Sequence, residues 1–450
     1  MHPKDERFIA LDEKTKDGKK INLENYAVCK YFFQTHKPVL EAAIDLCKSQ
    51  STSSAGWGAS GEVAGEDDEI VETFGAKLLR YHILEESTHA DMPAVNQKIQ
   101  QNRQGKLTRA EVEIAIPLRN LERGGIPLLM TALAGEIHYL DPFISIKLVD
   151  LKLPESYLKL YQGPKFGVEG LRNYFGIKED RPLLIGVIKP SLAPPKLFAD
   201  LAYETWIGGI DMVKDDELLV DIDESPFEER MKAVAEAKKR AEKEKGRSFF
   251  YQANITGPVD DLKRKYEIAR RYNVDAIMIS AVAQGLGAVH MLTGFTEIPV
   301  SSHFDLTACM AKSPYHGVSH KVMALIHRLA GIDNLIMPAY DSTMMEYEED
   351  INAEVAICAA KIGELKHMIP FFGGGVKATN IAIILKKAKT NKVGLIVGHG
   401  IYAHPEGARA GAKSIVQAWE AYHNGKDIEE YAATHQELKR ALEHFGYKKQ

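Results

Sequence analysis

The chain is predicted to be an α/β protein: a (β/α)8 barrel preceded by an α+β amino-terminal domain and followed by a helical tail. Three observations carry that expectation. From about Arg181 onward, short apolar runs alternate with stretches of helix-forming composition, and eight such pairs fit before residue 420. The first 150 residues lack that rhythm and mix strand-like and helical runs. The chain is also too long, at 450 residues, for one hydrophobic core.

In order, residues 1–20 are polar and read as a loose leading arm. LENYAVCKYFF (23–33) reads as a strand, and the run from Pro38 to Gln50 as a helix. Further β-type stretches are expected at Glu69–Phe74, Lys106–Ala115 and Phe143–Lys152, with a helix over Gly125–Gly135. Residues 151–180 connect to the barrel. Its strands are expected at 183–189, 210–216, 249–256, 276–281, 299–304, 334–339, 368–373 and 394–399. The barrel domain then spans 181–420, and residues 421–450 form a helical tail packed outside it. A doubly wound open sheet is the alternative, disfavoured by the regularity of the eight repeats.

Composition narrows the function classes. A formal charge of -5 gives no general attraction to nucleic acid or to anionic membranes. No run approaches the 18 apolar residues of a membrane span, and the charged amino terminus is unlike a secretory signal. Four dispersed cysteines suit reduced thiols, so a cytoplasmic location is expected.

A barrel enzyme works at the carboxyl ends of its strands, and polar residues gather there. The second strand runs into Lys214-Asp215-Asp216-Glu217. Alternation puts Lys214 and Asp216 on one side and Asp215 on the other. Asp216 and Glu217 are hard oxygen ligands suited to Mg2+, although the run alone could equally be a solvated cap. Lys189, ending the first strand, could serve as a base, a phosphate contact or an enolate-stabilising charge; snorkelling out of the mouth is the structural alternative. Asn254 suits a neighbour of the charged set or a cap. His303 can exchange protons near neutral pH, while His316, His320, His327 and His404 read as structural or as supports standing behind the site. Gly373-Gly374-Gly375 and Gly398-His399-Gly400 follow strands seven and eight, where barrels often hold phosphate. Ordinary tight turns would use the same glycines.

These stretches resemble the ribulose bisphosphate carboxylase superfamily, and within it the RuBisCO-like branch called form IV. The resemblance lies in GPKFGVEGLR (163–172), GVIKP (186–190), WIGGIDMVKDDE (206–217), ANIT (253–256), HGVSHKVMALIHRLAG (316–331) and VGHGIYAHPEGARAGAKSIVQAWEA (397–421). It implies that Lys214 is carbamylated by CO2 and binds Mg2+ with Asp216 and Glu217. It further implies that Lys189 and His303 are active-site residues, and that a homodimer builds shared sites from one barrel and the other chain's amino-terminal domain.

Departures from the carboxylase pattern are equally specific. PAYDSTMMEYEE (338–349) lacks the mobile lysine expected after strand six. Ser191 replaces a second lysine, Phe304 an arginine that clamps phosphate, Ile336 a histidine and Gly373 a serine. In the amino-terminal domain, Ser49 and the SAGW stretch ending at Trp57 differ from the family motif, and Glu136 replaces an asparagine. The resemblance therefore implies enolisation of a small phosphorylated keto compound rather than carboxylation. Lys189, His303 and Glu136 are the candidate bases. Diketo-methylthiopentyl phosphate enolisation, cleavage or decarboxylation of a branched oxo-sugar acid phosphate, and a non-enzymatic scaffold or stress-response role are the alternatives. The subgroup of phototrophic and sulfur-oxidising bacteria fits best, which points towards sulfur metabolism.

Overall fold

A computed structural model describes residues 3–52, 65–94, 97–102, 105–177, 179–344 and 346–447. The chain divides into two compact units, residues 1–161 with 306–326, and residues 162–305 with 327–450.

The first unit is built on an antiparallel sheet of β1 (Tyr26–Thr35), β2 (Lys77–Ser87), β3 (Leu107–Pro117) and β4 (Phe143–Lys152). Along β1 the even-numbered side chains are partly exposed from Tyr26 to Phe32, and the odd ones from Ala27 to Phe33 are buried. This is the period-two pattern of a strand with one covered face. The helix Val39–Ser49 packs on β2 and β3 with Val39, Ala42, Ala43, Leu46 and Cys47 buried.

Two expectations fail in this unit. Glu69–Phe74 is helical, within Asp68–Phe74, because Asp67 caps Ile70 N–H at 2.8 Å and Asp68 and Glu69 favour a helix amino terminus. The leading segment is also not loose: Phe8 and Ala10 are fully buried, and Ala10 N–H bonds Leu78 O at 2.9 Å.

The second unit holds β5 (Leu183–Val187), β6 (Met212–Lys214), β7 (Phe250–Asn254), β8 (Ala276–Ile279) and β9 (Val300–Ser302). In the first unit, β10 (Gly317–Val318) pairs in parallel with β4. The second unit is completed by β11 (Asn334–Pro338), β12 (Ile369–Gly373) and β13 (Gly394–Val397). Its strands close in the order β11-β12-β13-β5-β6-β7-β8-β9, all parallel, so the eight-stranded barrel is realised. Leu183, Ile185, Met212, Met278, Phe371 and Ile396 are among the side chains that fill it, with Phe175 packed into the same cluster. A filled interior leaves only the carboxyl-terminal rim for chemistry.

Among the described residues, no helix is long and apolar enough to cross a membrane.

Candidate active site

The rim of the barrel encloses a cavity of about 490 Å³. Lys189, Lys214, Asp216, Glu217 and His303 line it, as do Gly373–Gly375 and Gly398–Gly400. Apart from Asn254 and Glu136, every site residue expected from the sequence meets in this one cavity.

β6 explains how the charged run is sorted. Lys214 and Asp216 face the barrel mouth, while Asp215 points outward into its own buried network. There its carboxylate is 3.2 Å from Arg230 Nη2 and accepts hydrogen bonds from Tyr251 Oη at 2.5 Å and Asn254 N–H at 2.9 Å. Asn254 is a positioning residue. Its amide donates to the carbonyls of Asp216 at 3.2 Å and Glu217 at 2.9 Å, fixing the backbone that carries both carboxylates.

Within the cavity, the Lys189 ammonium is paired with Asp216 Oδ2 and donates to Ser191 Oγ at 2.9 Å. Asp216 Oδ1 accepts Leu218 N–H at 3.1 Å. Burial favours a protonated Asp216, but the Lys189 hydrogen bond and charge overcome it, and the carboxyl titrates below its ordinary range. Lys214 is 1% exposed, and burial lowers its proton affinity against the opposing pull of Glu217, Asp216 and Asp215.

His303 has a carboxylate on either side. Its Nδ1 lies 2.9 Å from Asp305, which also accepts Ser280 Oγ–H at 2.7 Å, and its Nε2 lies 3.6 Å from Glu217. The ring stacks on Phe304 with centroids 4.3 Å apart. Burial opposes ionisation of Asp305, yet its bonds from His303 and Ser280 keep the carboxyl below the usual range.

The two glycine loops are tight for steric reasons. A Cβ on Gly400 would fall 2.7 Å from Val376 O, and Gly374 and Gly375 have φ of 79° and 83°. Glu136 lies in the first unit, next to the 3-10 turn Ile137–Tyr139. The SAGW stretch with Trp57 lies outside the described residues.

The expected cofactors, Mg2+ and CO2 held as a carbamate on Lys214, are corrected. Asp216 and Glu217 face two basic side chains, Lys189 and Lys214, and Asp216 has both oxygens engaged. Two amines beside two carboxylates leave little net negative charge to attract a divalent cation.

Sequence reasoning also missed Asp305, Lys377, Thr343, Met344 and Phe445. Lys377 lies two residues past the glycine run and could have been suspected from it. Phe445 carries no such signal, and the tail helix that bears it reaches the cavity instead of packing wholly outside the barrel.

Residues 167–445 match the family model for the ribulose bisphosphate carboxylase large chain, catalytic domain. A ribulose bisphosphate carboxylase-like protein of Chlorobaculum thiosulfatiphilum is 37% identical over 432 residues, 96% of each chain. Another, from Allochromatium vinosum, is 35% identical over 96% of this chain and 92% of its own. Among solved structures, a rubisco-like protein from Burkholderia fungorum superposes with a TM-score of 0.83 at 26% identity, covering 93% of this chain and 99% of its own. A dimeric archaeal Rubisco from Hyperthermus butylicus gives 0.81 at 27%, covering 98% and 99%.

Proposed function

The chain belongs to the ribulose bisphosphate carboxylase large-chain family, and we propose that its barrel mouth enolises a small phosphorylated keto compound without carboxylating ribulose bisphosphate. The observation that carries this reading is the convergence of Lys189, Lys214, His303 and two glycine loops on one cavity.

Enolisation needs a base beside an acidic C–H and positive charge or an acid beside the carbonyl oxygen. His303 is the base in this reading. Asp305 holds Nδ1, so Nε2 is directed to the cavity and takes the α proton. The electron pair of the broken C–H bond forms the enolate C=C, and negative charge moves to the carbonyl oxygen. Lys189 stabilises that oxygen, and Lys214, whose proton affinity is lowered by burial, can protonate it to the enol. Backbone N–H groups at Gly373–Gly375 and Gly398–Gly400 hold the phosphate. Return of the proton to a neighbouring carbon would give an isomer.

Absence of carboxylation follows from Phe304 at a phosphate-clamp position and from a strand-six loop without lysine. The working unit in this reading is a homodimer in which the second copy contributes Glu136 near the mouth.

Solvent-deuterium exchange across a panel of phosphorylated ketoses and oxo acids, run with divalent metal and with chelator, tests the reading. Exchange on at least one phosphorylated ketone, abolished by His303→Gln in a folded protein, is the expected result. No exchange across the panel, or exchange indifferent to both His303→Gln and Lys189→Met, would sink it.

A further inference from the structure

The cavity has two chemically different ends. Lys189, Lys214, Asp216, Glu217 and His303 make one end charged. Elsewhere its lining carries Phe304, Ile336, Ile396, Met344 and Phe445, beside the two glycine loops, Thr343, Lys377 and His399. Gly373 sits among three of these: a Cβ there would lie 3.8 Å from each of Ile336, Ile396 and Phe304. The Met344 thioether packs directly on Gly374. These five side chains themselves offer no partner for a hydroxyl, and burying one against them would cost its hydration.

Phe445 stands apart because it arrives from the far end of the chain. It is the last residue of the helix Gln436–Phe445, and its ring meets His399 edge-on at 6.2 Å between centroids. That helix is firmly held. Leu438, Ala441 and Leu442 are buried, Glu437 bonds Lys413 at 2.6 Å and Gln417 at 2.9 Å, and Gln417 returns a bond from Leu438 N–H. Gly446, at φ 71°, ends it directly after Phe445. The aromatic ring is therefore a fixed wall and not a loose flap.

We infer that Phe445 closes the apolar end of the cavity and sets the length of apolar chain the site accepts beside its anionic group. This rests on reading the same cavity as a site for a phosphorylated compound, and it names a specificity-determining residue that the reaction itself does not require. Nothing in the sequence connects residue 445 with the barrel rim; only the packing of the last helix does.

The test is calorimetric titration of the full chain with inorganic phosphate, with n-alkyl phosphates from methyl to octyl, and with the matching n-alkanols. Affinity should rise about fourfold per methylene while apolar surface is being covered, then level off or fall once the chain meets Phe445. Phe445→Ala should move that break to longer chains by roughly two or more methylenes, and Phe445→Trp should move it to shorter ones. The opposite shifts separate a wall from a merely structural residue, and the Trp variant serves if the Ala variant folds poorly. A break at the same chain length in all three proteins, or no dependence on chain length, overturns the inference. Phosphate binding without chain dependence leaves the anion reading intact while removing this one. A Phe445-sensitive break among alkanols with no phosphate binding does the reverse.

Discussion

Replacing Asp215 by alanine should damage the barrel far more than replacing its neighbour Asp216, although both are buried carboxylates in one charged run. Asp215 and Arg230 are both inaccessible to solvent. Removing the carboxylate strands a guanidinium, the Tyr251 hydroxyl and the Asn254 N–H. Breaking one partner of a buried pair costs about 3–5 kcal/mol. Arg230 keeps carbonyl bonds to Val220 at 2.7 Å and Ser225 at 3.0 Å, which places the loss near the lower end, about 3 kcal/mol. That is a change of more than about a hundredfold in the folding equilibrium. Asp216→Ala, by contrast, frees a Lys189 side chain that is 40% exposed and can take up water, so it should cost about 1 kcal/mol or less. Urea unfolding followed by tryptophan fluorescence, with Trp206 fully buried in the barrel unit, measures both. The Asp215→Ala midpoint should fall by about 1 M at unchanged slope. Adding Arg230→Met should recover most of the loss, since an apolar pair replaces a broken ionic one. A loss below about 1 kcal/mol for Asp215→Ala, or a double variant no better than the single, would show that the pair does not hold the strand as argued.

Further outcomes are expected. Gly400→Ala, which drives a Cβ to 2.7 Å from Val376 O, should shift that loop, lowering the melting temperature and weakening inorganic phosphate binding at least about tenfold; unchanged titrations would remove that loop from the anion site. Although burial opposes it, the Lys413 and Gln417 bonds hold the Glu437 carboxyl down at about 2, below its ordinary 4.5. Its contribution is therefore fully present above pH 4.5 and is lost as pH falls towards 2. The difference in urea midpoint between wild type and Glu437→Gln should shrink from pH 6 to pH 3, and a constant difference would contradict the assignment. Incubation with labelled CO2 and ribulose bisphosphate should give no labelled phosphoglycerate, and stoichiometric turnover would refute this. Light scattering at low micromolar concentration should give about twice the chain mass; a single-chain mass would remove the shared-site dimer.

What the sequence determined by itself was the barrel and the residues at its rim. Strand burial is written in short apolar runs, and the strand ends are written in the polar or glycine residues that follow each run. Reading Lys189, Lys214, Asp216, Glu217, His303 and the two glycine clusters as neighbours required only the closed order of strands. Period-two alternation sufficed to turn Asp215 away from Lys214. Local patterning failed where capping outweighed composition, as at Asp67, whose side chain makes a helix of a stretch that reads as a strand. It failed again at the polar leading segment, where two small contacts, Phe8 and Ala10, anchor a run of charged residues. Charge balance inside the cavity was beyond it altogether. Whether Lys189 pairs with Asp216 or leaves it to a cation depends on ångström distances between strands. The position of Phe445 was likewise decided by tertiary structure alone: a helix can dock by its apolar stripe in many places, and only the docked partner tells which side chain ends up lining the mouth of the barrel.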